Sequence, residues 1–445
     1  MGMAVTATDE IVSGTVDVPV YVDRQPVGAF QIRVLLVCAA VLFIDGFDTQ
    51  AIGYVAPAVA QEWKLARGSL GPVFSAGLLG LMIGALIFGP MADRIGRRRI
   101  ILASVLVFGI GTLLTVFAVD TTWLIALRVL TGLGLGGAMP NAIALTSEFS
   151  PHRRRATMVM IMFAGFSIGA ALGGLLAAAM IPAFGWRSVF LVGGLVPLLL
   201  LPFLFKALPE SIRFLAMMGG RDREVANLLQ KIAPGVSFAG NAKFVVQEPK
   251  LSGLRVAHLF AEGRASVTVL LWVVFFMSLL DLYLLSNWLP TVLNDLGVSV
   301  SGAAAIGAML QVGGVVGTFT LGQFIDRFSF RALSLTYLAA AVAVAAVGMA
   351  SHSIVLVTIA IFASGFCIVG GQIASNALTA TFYPTAIRST GVGWALGIGR
   401  IGSIVGPLIG GVMLARDMGP QPLFGAAAVP ALIAAAAAFV LARRG

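Results

Sequence analysis

Two aspartates stand inside a long apolar stretch near the N-terminus. Asp45 and Asp48 belong to the run from Val34 to Pro57. An Asp at the centre of a membrane helix costs roughly 2.5 to 3.5 kcal/mol, so chains keep such residues mainly at functional sites. Residues three apart share one face of a helix, and Thr49 extends that face. We expect both carboxylates to face one polar cavity and to bind protons there. The alternative is a structural pair, capped by backbone or by an arginine.

Two arginines inside apolar stretches offer the opposite charge. Arg400 is our first choice for a substrate carboxylate, because a guanidinium presents a planar fork that binds a carboxylate through two hydrogen bonds. Its alternative role is that of a structural partner for Asp45 or Asp48. Arg128 lies near the end of its stretch and is assigned to proton coupling. Its alternatives are gating, a purely structural role and a side chain that extends to the membrane surface.

The composition indicates a membrane protein. The 445 residues are 59% hydrophobic and 11% charged, and their mean hydropathy is +0.99. These values lie far outside the range of a soluble domain. The two cysteines lie in apolar stretches and the three histidines lie in loops or at the edges of such stretches, so no disulfide framework, metal cluster or nucleophile pair can be assembled from them. We expect no metal, no cofactor and no enzymatic activity.

The apolar runs predict twelve membrane-spanning helices. The predicted spans lie near 33–57, 69–91, 100–119, 122–146, 156–181, 186–206, 266–290, 301–325, 332–350, 354–379, 389–414 and 422–442. The linker between spans six and seven is polar, and a short helix is predicted near 221–232. The chain is thus divided into an N-terminal cytoplasmic segment, a six-helix half, a cytoplasmic linker and a second six-helix half, over 1–32, 33–206, 207–265 and 266–445.

The net charge of +10 is distributed as in a membrane protein, not as in a nucleic-acid groove. With twelve spans, most of the 29 Lys and Arg residues fall on the side of the N-terminus, and the exceptions are Arg128 and Arg400 within spans and Lys64, Arg67, Arg187 and Arg416 on the other side. Such a bias is typical of cytoplasmic loops. Residues 1–29 also lack the basic and apolar regions of a signal peptide. We therefore expect both termini in the cytoplasm.

The two halves repeat each other at a constant offset. Asp326-Arg327 follows Asp93-Arg94 by 233 residues, and the same offset carries Asp48 onto Asp281. It also relates further glycines, prolines and an arginine without a gap, among them Gly80 and Gly313, Gly84 and Gly317, Pro57 and Pro290, Pro151 and Pro384, Arg155 and Arg388, and Gly169 and Gly402. Two parallel halves related by an axis along the membrane normal follow from this repeat.

This arrangement resembles the major facilitator superfamily. The stretch from Gly89 to Arg99, GPMADRIGRRR, is close to the family's G-x-x-x-D-R-x-G-R-R motif, and Arg128 precedes a glycine-rich stretch in span 4. A narrower resemblance is to the aromatic acid:proton symporters of bacteria. It is carried by DGFDT at 45–49, GLGLG at 132–136 with MPN at 139–141, NWLPT at 287–291 and GIGR at 397–400.

The resemblance implies a twelve-helix carrier in a bacterial inner membrane. We expect it to take up an aromatic carboxylate together with protons, by alternating access and as a monomer. One alternative is a carrier of an aliphatic or sugar acid. Another is a transporter-like membrane sensor that signals through the linker. The resemblance also implies gating groups at the cytoplasmic ends of spans, namely Asp93, Arg97, Glu148, Arg155, Asp326, Arg327 and Arg388.

The ring of an aromatic substrate needs apolar walls and a few polar groups to orient it. The side chains assigned to this task are Phe47, Tyr54, Asn141, Tyr283, Trp288, Gln372 and Asn376. Asp281 is not part of the resemblance, and an unpaired charge there would repel an anionic substrate. It is therefore protonated, paired with Arg128 or Arg400, or used to accept a hydrogen bond from a substrate hydroxyl or amino group. We favour the last role.

Overall fold

The computed structural model describes residues 10–12, 14–66, 68–246, 256–350, 352–383 and 387–444. Within these ranges twelve helical segments are long and apolar enough to cross a membrane, as predicted. The first half contains six of them, α2 (Ala29–Trp63), α3 (Gly71–Ile95), α4 (Arg97–Thr115), α5 (Thr121–Phe149), α6 (His152–Phe184) and α7 (Arg187–Ala207). Several of these helices run past their predicted ends. The helix α2, with 35 residues, is about 52 Å long and so extends beyond the ~30 Å hydrocarbon core.

The second half contains the other six spans. They are formed by α10 (Ala265–Asp295), α11 (Val300–Met349), α12 (Ile354–Phe382), α13 (Arg388–Ala415) and α14 (Pro420–Arg444). The long helix α11 holds two spans, Val300–Gly322 and Arg327–Met349. Its backbone leaves helical geometry at Ser329, where φ is 50° and ψ is −130°.

The N-terminal segment and the linker fold together on one face of the bundle, which we call the linker face. Two pairs of parallel strands join them, β1 (Glu10–Val12) with β3 (Val236–Phe238) and β2 (Thr15–Asp17) with β4 (Lys243–Val245). Three short helices complete this layer, α1 (Val18–Arg24), α8 (Ile212–Met218) and α9 (Asp222–Ile232). The helix α9 is the one predicted from the linker sequence. The strands were not predicted, because three residues are too few to show an alternating pattern.

Glycines let the helices of each half approach closely, and they do so at equivalent positions. A side chain at Gly80 of α3 would overlap the carbonyl oxygen of Val129 on α5. The equivalent residue Gly313 stands in the same way against Phe362, and both pairs are related by the 233-residue offset. Small residues at such crossings are how membrane helices pack without a hydrophobic driving force. The repeat read from the sequence therefore corresponds to equivalent helix packing.

The two halves contact each other near the face opposite the linker, which we call the far face. Gln61 of α2 donates a hydrogen bond to Asn294 of α10 at 2.9 Å, and Ser301 of α11 donates to the Ala178 carbonyl of α6 at 2.6 Å. Ser75 of α3 donates to the Ile404 carbonyl of α13 at 2.8 Å. We call this set of contacts the far-face interface.

Toward the linker face, α3 and α13 have open space beside their glycines. A methyl group at Gly89 of α3 or at Gly397 of α13 would meet no neighbouring atom within 4 Å. Nearer the far face the same two helices touch, since a side chain at Gly71 would stand 3.2 Å from the Pro407 carbonyl oxygen. Among the described residues, the contact between α3 and α13 thus lies toward the far face.

Candidate functional site

Asp48 and Arg128 form a buried ion pair inside the first half. Asp48 is fully buried on α2, and one of its carboxylate oxygens lies 3.5 Å from Nη1 of Arg128 on α5. Its other oxygen accepts a hydrogen bond from the Thr112 hydroxyl of α4 at 2.6 Å. The pair therefore joins three helices, and its carboxylate is held by both a cation and a hydroxyl.

Arg128 is held within the half and does not extend to the membrane surface, which removes one of its predicted alternatives. It is 3% exposed, and its Nη2 donates to the hydroxyls of Thr131 at 3.2 Å and Thr115 at 3.3 Å. Its guanidinium also lies 5.0 Å from the centre of the Phe190 ring on α7. The threonines were not assigned from sequence, because a hydroxyl in an apolar helix more often bonds its own backbone.

Asp45 lies one helical turn before Asp48 and has a different environment. One of its oxygens accepts a hydrogen bond from Thr49 at 3.0 Å, and the other has no hydrogen-bond partner among the described residues. The charge of Arg400, from the second half, acts on this carboxylate. The two aspartates thus divide their roles, with Asp48 paired inside its half and Asp45 turned toward the other half.

Arg400 bridges the two halves near their centre. Its Nη1 donates to the Tyr283 hydroxyl of α10 at 3.2 Å, and its Nη2 contacts the Met139 sulfur of α5 at 3.5 Å. A guanidinium has five N–H donors, and these two contacts are weak compared with a bidentate carboxylate pair. Arg400 can therefore bind a carboxylate at little cost to its present contacts.

A small cavity of about 20 Å³ lies beside these residues. It has room for about one water molecule. Thr49, the partner of Asp45, and Arg128, the partner of Asp48, both line it, together with Asn287 of α10. The cavity therefore lies between the partners of the two aspartates. Asn287 was noted only as part of a motif, since nothing in a single sequence distinguishes it from a packing amide.

Two amides on α12 lack hydrogen-bond partners. Neither atom of the Gln372 amide, which is 6% exposed, nor the side-chain oxygen of Asn376 has one among the described residues. Leaving such groups unpaired costs about 1 to 3 kcal/mol, so they are suited to bind a polar ligand group. Asn141 differs, because it donates to the Gly137 carbonyl of its own helix at 2.8 Å.

Three of the predicted aromatic wall residues have packing contacts. Phe47 lies against Gly173 and Gly193 of the first half. The Tyr54 hydroxyl donates to the Ala170 carbonyl at 3.0 Å. Trp288 lies in the far-face interface, where its Nε1 donates to the Pro407 carbonyl at 2.9 Å and its ring meets that of Phe74 edge-on at 4.9 Å. Tyr283 is the predicted wall residue that contacts Arg400, and the role of the other three as ring walls stays a prediction.

Asp281 is buried inside the second half. It is 1% exposed, and neither carboxylate oxygen has a hydrogen-bond partner among the described residues. In the described structure Asp281 forms no ion pair with Arg128 or Arg400. Arg128 pairs with Asp48 instead, and Arg400 contacts Tyr283. Ser278, one turn before Asp281, accepts a hydrogen bond from the Tyr337 hydroxyl of α11 at 2.9 Å.

The predicted gating groups lie at the linker face. Arg97 forms an ion pair with Glu148, and the Ser211 hydroxyl donates to the second Glu148 oxygen at 2.5 Å. Asp93 lies 3.8 Å from Arg97 with its side chain 74% exposed. These contacts join residues of the first half to one another and to the linker, and the gating role stays a prediction.

Of the other four predicted gating groups, the structure describes the side chains of Arg155 and Arg327. Arg155 lies 3.6 Å from Asp23 of the N-terminal segment, and the Arg327 guanidinium lies 5.2 Å from the centre of the Phe328 ring. The side chains of Asp326 and Arg388 lie outside the described part of the structure.

A comparison with protein families places the chain in a class. The family described as Major Facilitator Superfamily matches residues 38–255 and 271–445. The chain therefore belongs to the major facilitator superfamily, as the motif at Gly89–Arg99 predicted, and it is a membrane transporter, not an enzyme.

The chain is similar to several transporters named for aromatic acids. It is 43% identical to a gallate transporter of Pseudomonas putida over 96% of this chain and 95% of the relative. It is 42% identical to the 4-hydroxybenzoate transporter PcaK of Pseudomonas aeruginosa over 95% and 94%. It is 40% identical to the 3-(3-hydroxy-phenyl)propionate transporter of Escherichia coli over 92% and 93%.

Solved structures support the fold. The xylose transporter XylE from E. coli, in a partially occluded inward-open conformation, matches with a TM-score of 0.72 over 92% of this chain and 97% of that chain, at 16% identity. A bacterial homologue of the human lysosomal transporter Spinster, in an inward-facing and occupied conformation, matches with a TM-score of 0.73 over 94% and 98%, at 20% identity. The predicted twelve-helix architecture of two six-helix halves is confirmed.

Proposed function

We propose that this protein imports an aromatic carboxylate together with protons. The observation that carries this proposal is the position of Arg400, which contacts Tyr283 in its own half and acts on the Asp45 carboxylate of the other half. A cation between the halves, beside an acid with one unpartnered oxygen, suits a carrier that binds an organic anion and a proton together. The names of the similar transporters support an aromatic acid as the anion.

In this proposal the substrate carboxylate binds Arg400. Tyr283 lies beside it as an aromatic wall, and the unpartnered amides of Gln372 and Asn376 orient polar ring substituents. Hydroxylated rings carry both donors and acceptors, which an amide can match. The site thereby favours a hydroxybenzoate over an acid without a ring.

Coupling follows from competition for Arg400. A substrate carboxylate that takes the guanidinium deprives Asp45 of its nearby cation, and a proton on Asp45 then removes a charge that would otherwise stand beside the bound anion. Asp48 and Arg128 are the second acid and its partner, connected to Asp45 through Thr49 and the small cavity. Substrate and proton are therefore bound together or not at all.

The distribution of charges indicates which face of the protein lies in the cytoplasm. We assign the linker face to the cytoplasm of a bacterium, because that face carries the excess of Lys and Arg. The structure, closed at the far face, is then the cytoplasm-open state of an alternating-access cycle, and the gating groups at the linker face come together in the opposite state. The protein acts as a monomer in the inner membrane.

The test is uptake into proteoliposomes that contain the purified protein. Labelled 4-hydroxybenzoate, gallate, benzoate and an aliphatic acid such as succinate are offered with and without an inwardly directed proton gradient. We expect accumulation of the hydroxybenzoates that requires the gradient and is abolished by a protonophore. Preferred uptake of succinate would favour the aliphatic-acid alternative, and equilibration without accumulation would contradict proton coupling.

A further inference from the structure

Asp281 is a buried acid that has no role in the coupling mechanism proposed above. It lies on α10 at the position that corresponds to Asp48 on α2, 233 residues earlier. Both carboxylates are buried to the same degree, with exposures of 1% and 0%. Their surroundings can therefore be compared position by position.

The partners that hold Asp48 are missing around Asp281. Arg128, the cation of the first half, corresponds to Ile361 in the second half, and the hydroxyl donor Thr112 corresponds to Ala345. Both replacements are apolar, and Ile361 and Ala345 cannot supply either a charge or a hydrogen bond. The second half thus repeats the acid without repeating its counterion.

Among the described residues, the helices around α10 bring no substitute cation to Asp281. Tyr337 of α11 is the titratable group that faces it. Arg400 of α13 contacts Tyr283 and Met139, and Arg128 pairs with Asp48. The helices α12 and α14 carry no Asp, Glu, Lys, Arg or His from 354 to 382 and from 420 to 442. A lone carboxylate in such surroundings is costly, and a bound proton removes the charge.

Hydroxyl groups of three helices lie close to Asp281 and contact one another. The Tyr337 hydroxyl donates to Ser278, one turn before Asp281 on α10, at 2.9 Å. It also shares a hydrogen bond with Ser375 of α12 at 3.0 Å, in which either oxygen can donate. Ser375 lies one turn from Gln372, which belongs to the proposed substrate site. The Ser375 hydroxyl also donates to the Gly371 carbonyl of its own helix at 2.8 Å. These hydroxyls form a buried polar network that ends one turn from Asp281.

We propose that Asp281 is a second proton-binding site, in the C-terminal half. The inference rests on the proposed proton-coupled uptake and adds to it. Each transported substrate is then accompanied by one more proton than the acids of the first half supply.

The test measures the proton-to-substrate ratio. The protein is reconstituted into liposomes with 4-hydroxybenzoate on both sides, and the pH gradient that brings net flux to zero is determined for a series of substrate gradients. Asp281→Asn preserves the shape of the side chain, and Asp281→Leu replaces a buried polar group by an apolar one and so should not impair folding. Ser364→Ala is the matched control, because Ser364 is buried in the same half and bonds only its own helix at 2.8 Å in the described structure.

We expect the ratio to fall by one in both Asp281 variants and to stay unchanged in Ser364→Ala. An unchanged ratio in folded Asp281→Asn and Asp281→Leu would overturn the inference. So would an unchanged ratio with a selective loss of 4-hydroxybenzoate relative to benzoate, which would assign Asp281 to the substrate hydroxyl. If the unmodified protein shows no proton dependence, the proposed function fails instead, and the two failures are thereby distinguished.

Discussion

Asp48 and Arg128 show how a charge is kept inside a membrane helix bundle. The carboxylate has a cation at 3.5 Å and a hydroxyl at 2.6 Å, and the guanidinium has two further threonine hydroxyls. Removing one partner of a buried ion pair costs about 3 to 5 kcal/mol, because the other charge is left uncompensated. A single substitution at this pair therefore affects stability and coupling together.

We expect Asp48→Asn to abolish gradient-driven accumulation. The double variant with Asp48→Leu and Arg128→Leu separates coupling from folding, since it leaves no unpaired charge. It should regain thermal stability and still fail to accumulate substrate in proteoliposomes. Accumulation at the normal rate by the folded double variant would show that this pair is structural.

Arg400 should determine substrate affinity. A hydrogen bond to a charged group contributes about 1.5 to 3 kcal/mol, so Arg400→Gln should raise KM for 4-hydroxybenzoate by about tenfold or more. Tyr283→Phe removes one neutral hydrogen bond at 3.2 Å and should raise KM only severalfold. Initial uptake rates over a range of substrate concentrations measure both. Equal KM values for Arg400→Gln and the unmodified protein would place the carboxylate elsewhere.

The helices α2 and α10 cross where neither has room for a larger side chain. A side chain at Gly53 of α2 would stand 2.7 Å from the Ser286 carbonyl oxygen of α10, and the offset between these two residues is again 233. They are therefore equivalent positions that meet on the axis between the halves. Closure of the far-face interface depends on this small residue.

Gly53→Val should open the far-face interface, because the added methyl groups cannot be accommodated in the closed state. A cysteine placed by Ser75→Cys, buried at this interface, reports the change through its labelling by a membrane-impermeant thiol reagent added to the far face. We expect labelling to increase severalfold. Gly89→Ala is the control, since a methyl group there meets no atom within 4 Å. Equal labelling in both variants would contradict the steric argument.

The two halves must separate at the far face for the proposed cycle to proceed. Gln61 and Asn294 hydrogen-bond across the halves there, whereas Glu62 and Arg187 form an ion pair within the first half at 2.6 Å. The first contact should break in each cycle, and the second should persist. The two neighbouring pairs thus allow a matched comparison.

A short bifunctional thiol reagent should stop transport in the double variant with Gln61→Cys and Asn294→Cys. The same reagent should leave transport largely intact in the double variant with Glu62→Cys and Arg187→Cys, because that link stays within one half. Uptake before and after treatment measures both effects. Continued transport by fully cross-linked Gln61→Cys/Asn294→Cys protein would rule out separation at this interface.

The sequence determined the number of spans, the linker and the repeat. Local sequence is enough for these features, because a membrane helix must satisfy its own backbone hydrogen bonds and present some twenty apolar residues. The 233-residue offset predicted which glycines and acids occupy equivalent positions, and Gly80 and Gly313 do pack alike. The chemical types at the centre were also evident, namely two acids of the first half, one acid of the second half and one arginine from each half.

The tertiary structure decided which of these groups meet. Helix rotation and tilt pair Asp48 with Arg128 and bring Arg400 to Tyr283 near Asp45, whereas the sequence left either arginine available to either acid. The packed structure also shows that Asp281, equivalent to Asp48 along the chain, has no counterion among the described residues. Partners of a side chain come from other helices, and a helical pattern fixes only its own faces, so contacts between helices require the packed structure.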